Sequence, residues 1–266
     1  MSGNLALAFA LTAFAGLSTG IGSAVALLSN RANKSFLSAA LGFSAGVMIY
    51  VSFVELFQVS REHLVGALGA NRGEWWAVVA FIGGMLIAGI IDFLVPDKEN
   101  PHELQTPENM EEKRGEADLE RLGILAAVAI AVHNFPEGLA TFAGALVDPA
   151  IGVSIAIAVA IHNIPEGISV SVPIYHATGS RKKAFWYSFL SGLAEPLGAV
   201  IGYLILRPFF SETLFGVLFG SVAGIMVFIS LDELVPAAKQ YERGHIAIYG
   251  LIVGMAVMAV SLLLGG

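Results

Sequence analysis

Apolar residues run along the chain in eight blocks bounded by polar, charged or turn-forming residues, at about 4–29, 36–60, 75–96, 122–146, 150–176, 184–206, 213–238 and 245–264. Strands rarely exceed ten residues, whereas roughly 20 apolar residues carry a helix across the hydrocarbon core of a bilayer. The pattern predicts an all-α, polytopic membrane protein with eight transmembrane helices forming a single domain over 1–266. The first block begins at residue 4 with no preceding Lys or Arg and runs past signal-peptide length, so it reads as a retained span.

Composition sharpens this. Hydrophobic residues make up 56% of the 266 and charged residues 13%, about half the share of a soluble domain. A net charge of −7 gives no basic surface for nucleic acid. The absence of cysteine excludes disulfides and thiolate metal sites. Eleven Lys or Arg residues follow blocks 1, 3, 5 and 7, and only Arg61, Arg72 and Arg207 follow blocks 2 and 6. Basic residues accumulate in cytoplasmic loops, so both termini are expected outside. Trp75, Trp76, Trp186 and Tyr187 open blocks 3 and 6 as interfacial anchors. The one sizeable connection, 97–121, holds nine acidic and four basic residues with Pro101, Pro107 and a single histidine, His102. It reads as a mobile acidic cytoplasmic loop.

The blocks repeat. GFSAGVMIYVSFVEL at 42–56 aligns without gaps with GSVAGIMVFISLDEL at 220–234, and GLSTGIG at 16–22 more weakly with GLAEPLG at 192–198, setting Thr19 opposite Glu195. Blocks 2 and 7 cross the membrane in opposite directions, so the repeat is inverted: blocks 1–3 and 6–8 are related by a pseudo-two-fold in the membrane plane, as in secondary transporters. AIAVHNFPEG at 129–138 matches AVAIHNIPEG at 158–167 in the antiparallel middle pair. Gly42/Gly46, Gly220/Gly224 and Gly250/Gly254 have the spacing that lets membrane helices pack closely.

The chemistry concentrates in blocks 4, 5 and 6. His133 and Glu137 are four residues apart, as are His162 and Glu166, so each imidazole shares a helix face with a carboxylate. Asn134 and Asn163 can add amide oxygens from the same crevice. Pro136, Pro165 and Pro196 deprive the carbonyls of Val132, Ile161 and Gly192 of their intrahelical donors, which at membrane depth suits a cavity holding a cation or its water. Glu137, Glu166 and Glu195 sit well inside their blocks with no basic residue beside them; an ionised carboxylate there costs about 2.5–3.5 kcal/mol or more unless something positive joins it. Imidazole, carboxylate and amide oxygen together suit Zn²⁺, Fe²⁺, Mn²⁺ or Co²⁺ better than Cu⁺, Mg²⁺ or Ca²⁺. Glu55, Asp92, Asp232 and Glu233 extend a line of acids toward both surfaces, as a pathway would.

HNFPEG in block 4, HNIPEG in block 5 and GLAEPLGA in block 6, with eight blocks and an acidic third loop, resemble the ZIP (Zrt/Irt-like) family of metal transporters and its bacterial ZupT-like branch over essentially the whole chain. The resemblance implies a 3+2+3 helix arrangement and divalent-metal uptake into the cytoplasm through a binuclear site near the midplane, with ligands on His133, Asn134, Glu137, His162, Asn163, Glu166 and Glu195. Zinc is the expected substrate, with iron, manganese, cobalt and cadmium beside it, since the third loop offers glutamates and only His102. No cofactor is expected, the metal being cargo. The expected setting is the inner cell membrane, with lipid as surroundings and a homodimer as an assembly to test. With no GxxxxGK[ST] motif, transport runs down a gradient or is coupled to another ion. The residues alone leave open an intramembrane zinc hydrolase, in which two histidines and one glutamate hold zinc and a second glutamate acts as base, and a metal sensor without flux.

Overall fold

In a computed structural model, residues 2–28, 34–94, 116–240 and 245–265 are described. All eight expected helices are there, with no strand among the described residues. They are α1 (Ser2–Leu28), α2 (Lys34–Val51, Ser52–Leu56, Phe57–Leu68), α3 (Ala70–Leu94), α4 (Glu116–Val147), α5 (Pro149–Thr178), α6 (Arg181–Gly192, Ala194–Leu206), α7 (Glu212–Ile229, Ser230–Leu234, Val235–Gln240) and α8 (Ile246–Gly265). Seven of them are long and apolar enough to cross a membrane. The protein is a multi-pass helical membrane protein.

Boundaries follow local chemistry. Asp148 caps α5 through Ala150 N–H at 2.8 Å, with Pro149 at the first helical position. Gly179, at φ 61°, closes the same helix in the left-handed region that glycine reaches without strain. Ser180 and Ser211 cap α6 and α7 through the N–H groups of Lys183 and Leu214. The two largest departures from the hydropathy pattern are in α2 and α4. α2 continues beyond residue 60 to Leu68, because helical hydrogen bonding does not stop where apolarity does: Arg61 makes a two-pronged pair with Glu74 of α3, at 2.6 and 2.7 Å, and His63 pairs with Glu212 of α7. α4 begins at Glu116, inside the expected loop; the rest of that loop, His102 included, lies outside the described residues.

Packing reproduces the inverted repeat. A Cβ added at Gly46 would stand 2.1 Å from the Leu251 carbonyl oxygen, and one at Gly224, its repeat partner, 1.9 Å from that of Phe81. Hence α2 lies on α8 as α7 lies on α3. A Cβ added at Gly22 would stand 1.9 Å from the Ile164 carbonyl oxygen, and one at Gly198 2.3 Å from that of Phe135, so α1 lies on α5 as α6 lies on α4. Gly16 and Gly192 face each other's carbonyls, an added Cβ standing 2.4 Å away in both cases, at the crossing of α1 and α6 where the two-fold passes. The weaker sequence echo, 16–22 with 192–198, is therefore a true structural correspondence.

Two groups of four helices result: α1, α4, α5 and α6, and α2, α3, α7 and α8. Within each, backbones touch through glycine; among the described residues no glycine reaches across to the other group. Between the groups the packing is side chain on side chain, with Leu41, Met48 and Val51 of α2, Ile155 and Val159 of α5, and Phe219 and Met226 of α7 in one buried core. Ser44 of α2 crosses it with a hydrogen bond to the His162 carbonyl at 3.3 Å.

The repeat carries a further feature. α2 and α7 each contain one turn of π-helix, Ser52–Leu56 and Ser230–Leu234, at aligned positions. In each, the first serine donates to the carbonyl four residues back, Ser52 to Met48 and Ser230 to Met226, both at 2.7 Å.

Candidate metal site

α4 and α5 bring their polar faces together at the centre of the first group. Glu137, His162 and Glu166 are buried, each offering a ligand atom within 4.8 Å of the others, and they are the one such trio among the described residues. His162 Nε2 lies 3.1 Å from Glu137 Oε2, while its Nδ1 lies 3.0 Å from the Ala158 carbonyl oxygen. A carbonyl only accepts, so Nδ1 carries a proton and Nε2 is the nitrogen aimed at the carboxylate. An imidazole nitrogen and a carboxylate oxygen facing each other share a cation between them, either a proton or a metal ion that displaces it. Bonds of about 2.0–2.2 Å to a transition metal put neighbouring ligand atoms roughly 3.0 Å apart in an octahedron and 3.3 Å in a tetrahedron, and the observed 3.1 Å fits either. A backbone carbonyl fixing the remote ring nitrogen is the usual way a protein orients a ligating imidazole.

Asn163, wholly buried, donates to the Ala15 carbonyl at 2.9 Å and to the Glu195 carboxylate. This ties Glu195 of α6 and the backbone of α1 to α5. Asn134 donates to the Ser191 carbonyl at 3.4 Å. The amide oxygens of both asparagines are buried with no hydrogen-bond partner among the described residues, a disposition suited to a cation. Glu195 owes its position to a break. α6 is interrupted at Leu193 and restarts at Ala194, with Pro196 in the new first turn, so the carboxylate sits at a helix N-terminus whose dipole favours negative charge. Pro136 and Pro165, in contrast, lie within α4 and α5 without ending them. No Lys or Arg is buried among the described residues.

Of the residues expected at the site, Asn134, Glu137, His162, Asn163, Glu166 and Glu195 are all buried; Glu137, His162 and Glu166 form the trio, Asn163 is joined to Glu195, and Asn134 to the Ser191 backbone. The side chain of His133 lies outside the described residues. Glu55, Asp92, Asp232 and Glu233 stand apart from the trio; Glu55 and Glu233 occupy matching places in the two π-helical turns. Sequence reasoning missed Thr141, wholly buried one turn beyond Glu137, whose hydroxyl has no partner among the described residues; its i+4 spacing from Glu137 was the available signal. The carbonyls of Ala15, Ala158 and Ser191 leave no trace in a sequence.

Residues 94–262 match the model of the ZIP zinc transporter family. The chain belongs to that family. It is 60% identical to the zinc transporter ZupT of Streptococcus mutans serotype c over 99% of both chains, and 60% identical to the ZupT of Chlorobium limicola over 98% of both. Against the ZupT of Clostridium perfringens it is 56% identical, covering 98% of this chain and 96% of the relative. ZIP membership makes the protein a transporter and sets aside the hydrolase that the zinc-like ligand set had left open.

Proposed function

We propose that this ZIP transporter carries zinc, together with iron, manganese, cobalt and cadmium, into the cytoplasm across the inner cell membrane, binding the ion at Glu137, His162 and Glu166 with Asn134, Asn163, Glu195 and His133. The observation that carries the proposal is the His162–Glu137 pair: a ring nitrogen with its tautomer fixed by Ala158, aimed at a carboxylate 3.1 Å away in a buried site. Neutral nitrogen beside carboxylates holds these metals and is poorly matched to Mg²⁺ or Ca²⁺. Binding requires deprotonated ligands and so releases protons.

The site belongs wholly to the group α1, α4, α5 and α6. Transport then consists of that group shifting against α2, α3, α7 and α8 across their aliphatic interface, exposing the site first to one face and then to the other. Val51 and Leu56 of α2, Ile155 and Val159 of α5, and Val222 and Met226 of α7 line, with Glu137, a small apolar space at that interface. Purified protein in liposomes tests the proposal. Zn²⁺ is expected to reach the lumen, with the other four ions competing; no metal entry under a zinc gradient would reject it.

A further inference from the structure

Glu195 has a counterpart under the two-fold, and it is not a carboxylate. The operation that lays α1 on α6 takes Gly16 to Gly192, Gly22 to Gly198 and position 19 to position 195. Gly167 abuts the Thr19 carbonyl as Gly138 abuts that of Glu195, an added Cβ standing 2.0 and 2.1 Å away. The same operation pairs Asn163 with Asn134 and Ala15 with Ser191, and each asparagine donates to the carbonyl so paired with it. Asn163 also donates to Glu195. Thr19 therefore holds the place beside Asn134 that Glu195 holds beside Asn163, with a shorter and neutral side chain.

The Thr19 hydroxyl is wholly buried and has no hydrogen-bond partner among the described residues. Thr12, Ser23, Ser52 and Ser230 each donate to the carbonyl four residues back, at 2.7–3.1 Å. For Thr19 that acceptor is Ala15, already taken by Ser18 at 2.6 Å and Asn163 at 2.9 Å. A buried hydroxyl without a partner loses the hydrogen bonds it makes in water, and a cation or its water beside Asn134 would restore one.

We propose that Thr19 is a specificity-determining residue of the metal site, its hydroxyl oxygen meeting the cation or a water it retains in the half of the site that lacks a Glu195. The two halves are then unequal: the carboxylate half holds metal tightly, and the hydroxyl half holds it loosely enough to exchange. This rests on the transport proposal above.

The test is calorimetric Zn²⁺ binding to the purified full chain, with thermal unfolding of each metal-free variant alongside. Thr19→Val, which keeps the shape and removes the oxygen, is expected to weaken binding on the order of tenfold while the metal-free variant unfolds at the wild-type temperature or above it; Thr19→Ser is expected to stay within about twofold. Wild-type affinity in Thr19→Val, or a loss in Thr19→Ser equal to that in Thr19→Val, overturns the inference. If Thr19→Val does not fold, Thr19→Asp decides: added charge is expected to tighten binding on the order of tenfold, and unaltered affinity overturns it. Wild-type protein that binds and transports while these variants behave identically defeats only the role of Thr19; wild-type protein that neither binds nor transports zinc defeats the transport proposal itself.

Discussion

At the scale of single residues, the His-Asn-x-Pro-Glu-Gly motifs announce their chemistry, because a helix converts four-residue spacing into a shared face without any knowledge of the fold. The partners of those side chains are another matter. His162 donates from Nδ1 to the Ala158 carbonyl one turn back in its own helix, but that Asn163 reaches across to Ala15 and Asn134 to Ser191 depends on how helices far apart in sequence cross. The charges lead to an expected outcome. Glu137→Ala and Glu166→Ala are each expected to reduce zinc flux in liposomes to below about a hundredth of wild type, since losing a supporting hydrogen bond to a ligand alone costs 10–100-fold, while both proteins still insert. Wild-type flux in both variants would remove these carboxylates from the site. Glu195→Gln keeps an oxygen for Asn163 while discarding the charge. It is expected to fold normally and to bind zinc more weakly in calorimetry, separating electrostatics from packing.

At the scale of elements, the apolar blocks locate all eight helices and misplace their ends where polar residues continue a helix, as Arg61 and His63 do in α2. The π-helical turns carry no signal at all: SFVEL and SLDEL contain neither glycine nor proline. Only the glycines separate contact from open surface, and they do so through geometry. Gly224→Ala would drive a methyl group to 1.9 Å from the Phe81 carbonyl, and is expected to destabilise the protein by about 2 kcal/mol or more. Gly83 sits in mid-helix on the same α3 with nothing within 4 Å, so Gly83→Ala is expected to be neutral or to stabilise by about 0.5–1 kcal/mol. Thermal unfolding in detergent checks both; equal effects would show that α3 and α7 are not in backbone contact.

At the scale of the whole molecule, the basic residues assign a direction to a fold whose two halves run opposite ways. The chain has no cysteine, so single cysteines can be introduced on a silent background. In sealed cells, an impermeant thiol reagent is expected to label a cysteine at Asp148 or Phe210 and to spare one at Arg31 or Arg181; the reverse pattern would invert the proposed orientation. The two-fold itself was visible in the sequence for α2 and α7, where seven of fifteen positions are identical, and nearly lost for α1 and α6, where only packing against glycine preserves it. The extra residue of the π-helical turn falls at the same place in both halves, and so also bears on ancestry. One insertion in a three-helix forebear, made before a gene duplication supplied two oppositely inserted copies, accounts for both turns, and the π-helical turn is then older than the eight-helix protein that carries it.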